Sequence, residues 1–565
     1  MSAGADDGVL VTARAWLAQD PDAQTRAQLS DLIARVEQGD ADAAADLADR
    51  FAGRLAFGTA GLRGELGAGS NRMNRVLVAQ AAAGLAAFVR ERAADQDRVP
   101  TVVIGYDGRR NSDVFARDSA EIFAGAGLRA ILLPRLLPTP VLAFAVRRLG
   151  ADAGVMVTAS HNPPNDNGYK VYLGGADDGA QIVSPADAEI AAHIQRIADT
   201  GDVGVLPRSL GYETAPESLV EAYVTATAAV APAPEDADGL TWVYTAMHGV
   251  GWETLARILE VAGYPAPVPV APQLDPDGSF PTVAFPNPEE PGAMDLAFET
   301  ARSVNADLVI ANDPDADRLA VAVPDPHASG GWRRLTGNQI GLLLGWRAAR
   351  LAREAGAAPG ASLACSLVSS PGLKAVADHY GLEFHTTLTG FKWISRAPGL
   401  VFGFEEALGY LVNPETVRDK DGISAAIAML GLVTEARGRG ESLPRVLAEF
   451  DATFGFFASD QISIRVDDLS RIERIMTALR ERHPSAIGRL GVERVEDLLQ
   501  GVDDLPTGDV LRLWMVDGSR VIVRPSGTEP KLKIYIDVRG DSAEDAKARI
   551  SALNDGARAL LDELE

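Results

Sequence analysis

The stretch TVVIGYDGRRNSDVFARDSAEIFAGAGLRAILLP, residues 101–134, opens as an apolar strand and passes through a helix closed by glycine. It returns as a second apolar strand, RAILLP. That βαβ alternation predicts a mostly parallel sheet covered by helices. The rhythm restarts at LTWVYTAM (240–247), at LVIANDPDADRLAVAV (308–323) and at GASLACSLVSS (360–370). From about residue 456 it gives way to ASDQISIRV, SRVIVRPSGTEPKLKIYIDVRG and a charged terminal helix, an α+β module of another kind. Pro/Ala/Asp-rich segments near 229–239 and 271–292 read as linkers or long loops. Residues 1 to about 50 read as alanine-rich helices packed on the body.

Composition narrows the function classes. A chain of 565 residues is too long for one core, and three or four domains are expected. It is 47% apolar and 23% charged, as soluble globular proteins are. A formal charge of −25 argues against nucleic acid or an anionic membrane as partner, while local arginines can still hold a small anion. One cysteine, Cys365, excludes an internal disulfide framework and suits a reducing compartment. The first residues carry early acids and no long apolar core, so no signal peptide is expected; nor is any membrane span. A cytoplasmic multidomain protein is the expectation.

Four segments carry residue types suited to chemistry. VMVTASHNPPNDNGYKVY (155–172) ends a buried strand on Ser160 and His161 in a loop stiffened by two prolines. It is either a turn needing small polar residues or a nucleophile at the carboxyl end of a strand. In NDPDADR, Asp313, Asp315 and Asp317 recur every second residue between apolar strands. Carboxylates that close repel unless a cation sits among them, so a hard divalent metal is expected rather than a solvated acidic turn. Arg318 at the sixth loop position and Pro324 at the twelfth exclude an EF-hand. RPSGTEPKLKIY offers Arg524, Ser526, Gly527 and Thr528, the donor types a phosphate dianion takes; a plain hairpin turn would not explain the arginine or Lys531. FGFEEALGYLV sets Glu405 and Glu406 among apolar residues, as a loop that bonds polyol hydroxyls or as a solvated acidic pair.

Other motifs are weaker. FGTAGLRGELGAGSNRMN (57–74) is glycine-rich but lacks the Walker pattern, so nucleoside triphosphate hydrolysis is not expected. MHGVGWETL has Gly249 and Gly251 but no third glycine, and reads as tight strand-to-helix packing. Lys170 and Lys392, taken alone, read as surface lysines, and His161 as a turn cap.

In order along the chain, GTAGLRG, TASHNPPNDNGYK, DPDADR, FEEALGY and RPSGTEPKLKIY together resemble the loops of the α-D-phosphohexomutase superfamily, the phosphoglucomutase and phosphomannomutase family. FEEALGY followed by RDKDGISAA resembles its longer phosphoglucomutase/phosphopentomutase branch. The resemblance implies four domains: three related α/β domains with mixed sheets and a smaller α+β C-terminal domain. The expected boundaries are an N-terminal helical extension (1–50), then 51–225, 226–330, 331–455 and 456–565. It also implies a phosphoryl group on Ser160, one Mg²⁺ held by Ser160, Asp313, Asp315 and Asp317, and positive charge from Arg63 and Arg318. Lys392, Glu405 and Glu406 would bind the sugar, and Arg524, Ser526, Gly527 and Thr528 its distal phosphate. Acid/base help is expected from Lys170 or His161, and a sugar bisphosphate would be both intermediate and activator.

The implied reaction interconverts hexose 1-phosphate and hexose 6-phosphate, with sugar phosphates as the only partners beyond a monomer or homodimer. Many hexomutases carry GE-x-SGH in the sugar loop; here Ala407 and Tyr410 stand at the serine and histidine positions, with Leu408 inserted. That departure leaves glucose, mannose and pentose phosphates open. A phosphopentomutase is the alternative, a metal-dependent phosphatase comes after it, and a non-enzymatic sugar-phosphate sensor comes last.

Overall fold

The structure, a computed structural model, describes residues 3–235, 237–466, 468–502, 505–526 and 531–564. They divide into two compact units: 1–334 with 413–431, and 335–412 with 432–565.

In the first unit a sheet forms from β1 (Leu62–Glu65), β2 (Thr101–Tyr106), β3 (Arg129–Leu132), β4 (Ala153–Val157), β5 (Asp166–Leu173), β6 (Ala180–Gln181) and β7 (Glu213–Thr214), in the order β1-β5-β4-β2-β3-β7 with β6 beside β5. Strands β3, β2 and β4 are parallel, and β5 turns back antiparallel to β4. A second sheet holds β8 (Trp242–Thr245), β9 (Val268–Pro269), β10 (Leu308–Asn312), β11 (Leu319–Pro324) and β12 (Trp332–Arg334), ordered β12-β11-β10-β8-β9. Its register repeats the first: β9, β8 and β10 parallel, β11 antiparallel to β10.

The second unit repeats the pattern again with β13 (Ser362–Ser366), β14 (Glu383–Thr387), β15 (Leu400–Glu405) and β16 (Gly409–Leu411), ordered β14-β13-β15-β16. Here too β14, β13 and β15 are parallel and β16 is antiparallel to β15. The last sheet differs. Strands β17 (Phe456–Arg465), β18 (Ala486–Ile487), β19 (Leu490–Asp497), β20 (Leu511–Met515), β21 (Arg520–Pro525) and β22 (Lys531–Gly540) are all antiparallel, in the order β17-β22-β21-β20-β19-β18.

Central parallel strands are buried on both faces, which is why their sequences are unbroken apolar runs. Val102, Val103 and Ile104, like Leu308, Val309 and Ile310, are fully enclosed. The three N-terminal helices, Ala3–Gln19, Ala23–Glu37 and Ala41–Arg50, share the first sheet's core through Trp16, Leu29, Leu32 and Leu47. Asp22 and Asp40 cap the second and third of them by accepting from backbone N–H groups. Among the described residues no helix is long and apolar enough to cross a membrane.

The repeat places the chemistry. The Ser160 loop joins β4 to β5, the aspartate loop joins β10 to β11, and Glu406 lies between β15 and β16. Each is the turn from a parallel strand to its antiparallel neighbour, at the carboxyl end of the strand. Open α/β sheets place ligands at such strand ends.

Candidate active site

Ser160 follows β4 in the left-handed region, with φ +50, a conformation that costs a non-glycine residue about 1–3 kcal/mol and is held by its surroundings. Those surroundings are explicit. The Thr158 hydroxyl accepts from Ser160 N at 2.9 Å and donates to the buried Asp107 carboxylate at 2.7 Å. Arg109 then clamps the loop: its guanidinium donates to the carbonyls of Ser160 and Asn162 at 2.6 Å each, of Pro163 at 2.9 Å and of Asp166 at 3.2 Å. Arg63, on β1, donates to Asn162 Oδ1 at 3.1 Å.

The Ser160 hydroxyl donates to Asp313 Oδ2 at 2.7 Å, and the His161 Nδ1 lies 3.3 Å from the same hydroxyl. Burial, with the Arg318 and Arg63 charges nearby, holds His161 well below its usual value, so its imidazole is neutral. Asp313, Asp315 and Asp317 are all fully buried. Lys170 on β5 reaches Asp315 Oδ2 and Asp317 Oδ2 at 2.7 Å each, and Lys420 reaches Asp317 Oδ2 at 2.6 Å. The Thr139 hydroxyl donates to Asp315 Oδ2 at 2.6 Å. Arg318 gives its backbone N–H to Asp313 Oδ1 at 2.9 Å, and its Nε lies 3.7 Å from Asp317 Oδ1.

Burial alone would raise all three carboxyls. Asp313 does rise well above the usual range, pushed further by its two acidic neighbours. Against burial, Lys170 holds Asp315 below that range, and Lys170 and Lys420 do so for Asp317. One carboxylate oxygen from each of the three residues lies within 4.8 Å of the others. Asp315 Oδ1 and Asp317 Oδ1 are buried with no hydrogen-bond partner among the described residues. Buried anionic oxygens without donors call for a cation, and an all-oxygen set suits a hard divalent ion.

The loop is shaped from behind. Asn312 donates to the Arg318 carbonyl at 2.7 Å and accepts from Tyr244 at 2.9 Å. A Cβ on Gly249 would stand 2.3 Å from Pro314, so the Gly249-x-Gly251 turn does serve close packing, here against the aspartate loop.

The second unit holds the remaining candidates. The Glu406 carboxylate accepts from Ser369, on the segment after β13, at 3.1 Å and from Ser366, the last residue of β13, at 3.2 Å. Arg520 donates to the Ser369 carbonyl and to Asp537 Oδ2, tying that segment to the last sheet. Tyr535 is raised by burial first, then by Glu406 and Glu405, while Arg524 beside it pulls the other way; the glutamates and the arginine therefore share one neighbourhood. Lys392 is half-buried on the short helix Phe391–Ile394. Tyr410 is fully buried, its hydroxyl donating to the Gly337 carbonyl at 3.1 Å. Ser526 follows β21, whereas Gly527 and Thr528 lie outside the described residues.

Thus Ser160, His161, Lys170, Arg63, Arg318 and the three aspartates come together in the first unit, and Glu405, Glu406 and Arg524 in the second. Lys170 is no surface lysine. Arg109, Thr139 and Lys420 were not singled out from sequence; the signal available was an arginine two residues past a strand-end aspartate, a threonine at a helix start and a lysine between two acids.

Models of the four phosphoglucomutase/phosphomannomutase domains match the chain in order: alpha/beta/alpha domains I, II and III at residues 54–200, 221–329 and 336–452, and the C-terminal domain at 464–550. A "Probable phosphomannomutase" of Haemophilus influenzae is 54% identical over 492 residues, 86% of this chain and 98% of that protein. A "Probable phosphoribomutase" of Schizosaccharomyces pombe is 35% identical over 94% of both. A crystal structure of a phosphoglucomutase/phosphomannomutase family protein from Burkholderia thailandensis shares the fold, with TM-score 0.67 at 20% identity over 89% of this chain and 96% of that one. The chain belongs to the phosphoglucomutase/phosphomannomutase family, phosphotransferases of the isomerase type that depend on a metal.

Proposed function

We propose that the chain interconverts hexose 1-phosphate and hexose 6-phosphate, with Ser160 as the phosphoryl carrier and a hexose 1,6-bisphosphate as intermediate. The observation that carries this reading is the Ser160 hydroxyl set 2.7 Å from Asp313 in a cluster with two unsatisfied buried oxygens. Its 54% identity to a probable phosphomannomutase favours a hexose.

In the first half-reaction the phosphoryl on Ser160 passes to a free sugar hydroxyl; a new P–O bond forms as the Oγ–P bond breaks. The hydroxyl's proton leaves to a base; His161, whose Nδ1 lies 3.3 Å from the Ser160 hydroxyl, and Lys170 are the groups in place to assist. In the second half-reaction the bisphosphate, reoriented, returns its other phosphoryl to the Ser160 oxygen. The Oγ–P bond forms as that sugar O–P bond breaks, the freed sugar oxygen takes the proton held by the base, and the sugar keeps the phosphoryl just received. Arg109 holds the Ser160 carbonyl, and with it the nucleophile's direction, throughout. Asp313, Asp315 and Asp317, with a Ser160 oxygen, would hold Mg²⁺, which supplies neutralising charge for the phosphoryl oxygens. Arg63, Arg318 and Lys170 add fixed positive charge. Glu405, Glu406 and Lys392 bind sugar hydroxyls, and Arg524, Ser526, Gly527 and Thr528 take the phosphate that is not reacting.

A pentose phosphate is the second reading. It is favoured by the likeness to a probable phosphoribomutase and by a sugar loop in which Ala407 lacks a hydroxyl and Tyr410 is buried in the core. The test is a panel of glucose, mannose, ribose and deoxyribose 1-phosphates with Mg²⁺ and trace bisphosphate, followed by phosphorus NMR. Terminal esters formed from the hexoses support the first reading. Conversion of pentoses alone replaces it with the second, and net phosphate release without an isomer refutes both.

A further inference from the structure

Lys420 stands between Asp419 and Asp421 in the chain, and each of those carboxylates is buried and bonded to a buried tyrosine. Tyr172 on β5 donates to Asp419 Oδ2 at 2.8 Å; Tyr223, on the helix Glu217–Ala228, donates to Asp421 at 2.9 and 3.0 Å. Asp421 also accepts from Ile423 N and Ser424 N at 3.0 Å, capping the start of the helix Gly422–Gly438. Gly422 lies so close to the Arg318 carbonyl that a Cβ would come within 2.2 Å of it.

These anchors fix the backbone at Lys420, but they leave its ammonium a choice. It lies 2.6 Å from Asp317 Oδ2 and 3.7 Å from Asp419 Oδ1. A buried carboxylate deprived of a donor draws the nearest cation. Among the described residues the Tyr172 hydroxyl is the side-chain hydrogen-bond donor to Asp419, at Oδ2, while the Lys420 backbone N–H donates to Oδ1 at 2.8 Å.

We propose that Tyr172 is a positioning residue: by satisfying Asp419 it leaves the Lys420 ammonium on Asp317, and so sets the charge of the cluster that receives the divalent cation. The inference rests on the functional reading above only for the identity of that cation. With Tyr172→Phe, Asp419 competes for the ammonium, Asp317 is less neutralised and Mg²⁺ binds more tightly. Without a fixed ammonium, turnover slows while sugar-phosphate binding does not change.

The test is Mg²⁺ titration of the dephosphorylated full chain by calorimetry, with turnover measured in parallel. Tyr172→Phe is expected to tighten Mg²⁺ about 5- to 10-fold and lower kcat about 10-fold, with KM within about twofold. Lys420→Met tightens Mg²⁺ at least as much, and adding Tyr172→Phe to it changes nothing further. Adding Asp419→Asn to Tyr172→Phe removes the competitor and restores the parental affinity. A purely structural role for Tyr172 would shift the melting midpoint but give neither the rescue nor the dependence on Lys420. An unchanged Mg²⁺ affinity in Tyr172→Phe overturns the proposal, as does an equal shift in the Lys420→Met background. If Tyr172→Phe does not fold, 4-aminophenylalanine in place of Tyr172 keeps the shape with a weaker donor; about twofold tightening is expected, and none overturns the proposal. Because the titration needs no turnover, a parent protein that is no mutase refutes the functional reading and leaves this inference to its own result.

Discussion

Ser160 and Asp313 are 153 positions apart in sequence, yet the hydroxyl of one donates to the carboxylate of the other at 2.7 Å. The contact joins the first two α/β repeats at equivalent loops and sets a nucleophile against a group whose charge burial disfavours. Ser160→Ala is expected to lower turnover at least ~1,000-fold, because the phosphoryl carrier is gone. Asp313 can tolerate losing the donor by holding a proton, so the melting midpoint in chelator should stay near the parent's. Appreciable mutase activity in a folded Ser160→Ala protein would refute the mechanism.

Lys170 neutralises two buried carboxylates from one side chain. Removing one partner of a buried ion pair typically costs about 3–5 kcal/mol. Lys170→Met should therefore melt well below the parent in chelator, and Mg²⁺ should raise its midpoint more than the parent's, since a divalent cation restores the missing charge. A variant whose midpoint ignores Mg²⁺ would show that the cluster is not the metal site.

Arg524 is read as a ligand of the phosphate that does not react. Arg524→Ala should raise KM for a sugar monophosphate about tenfold or more and lower kcat by less, because the lost contact acts mainly in binding. A kcat-only effect, measured across a full saturation curve, would move Arg524 from substrate binding to the chemical step.

Asp451 sits in the last turn of the helix Leu443–Phe454, and burial pushes its carboxyl up to about 6. The helix end, with its exposed carbonyls, also disfavours an anion there. A raised carboxyl favours folding while it is protonated, so this contribution is complete below pH ~4 and lost as pH rises through ~6. Asp451→Asn should gain about 1 kcal/mol at pH 7.5, a figure reduced because the group is half-exposed, and the gain should shrink towards pH 5. Thermal melts of parent and variant across that range check it; a pH-independent difference would rule out the assignment.

The βαβ rhythm was legible because fully buried parallel strands must be written as uninterrupted apolar runs, and because Asp313, Asp315 and Asp317 make no sense between such runs without a counter-charge. What could not be read was which charges supply it. Lys420 lies in RDKDG, which has the composition of a solvated turn; in the fold its two flanking aspartates bond Tyr172 and Tyr223 and its ammonium meets buried Asp317. Tyr410 stands at the histidine position of the GE-x-SGH pattern, and only the fold shows that its ring is buried with the hydroxyl donating to the Gly337 carbonyl. The equivalence of the three loops also needed strand order, because registers of parallel and antiparallel neighbours are tertiary facts.

The chain leaves the first unit at residue 334, returns for 413–431 and leaves again. During synthesis the ribosome delivers the aspartate cluster well before Lys420, and at about 5–20 residues per second the wait is roughly 5–20 s. Over that interval Asp317 has Lys170 but not its second ammonium. The returning stretch also brings Ile423, Ala425, Ala426 and Ile427, each buried in the finished protein. A fragment ending at residue 334 would therefore carry every aspartate of the cluster and still be left with an uncovered apolar face and an unbalanced charge. Expressing the first unit by truncation should fail, while adding residues 413–431 as a separate peptide offers a route to complementation.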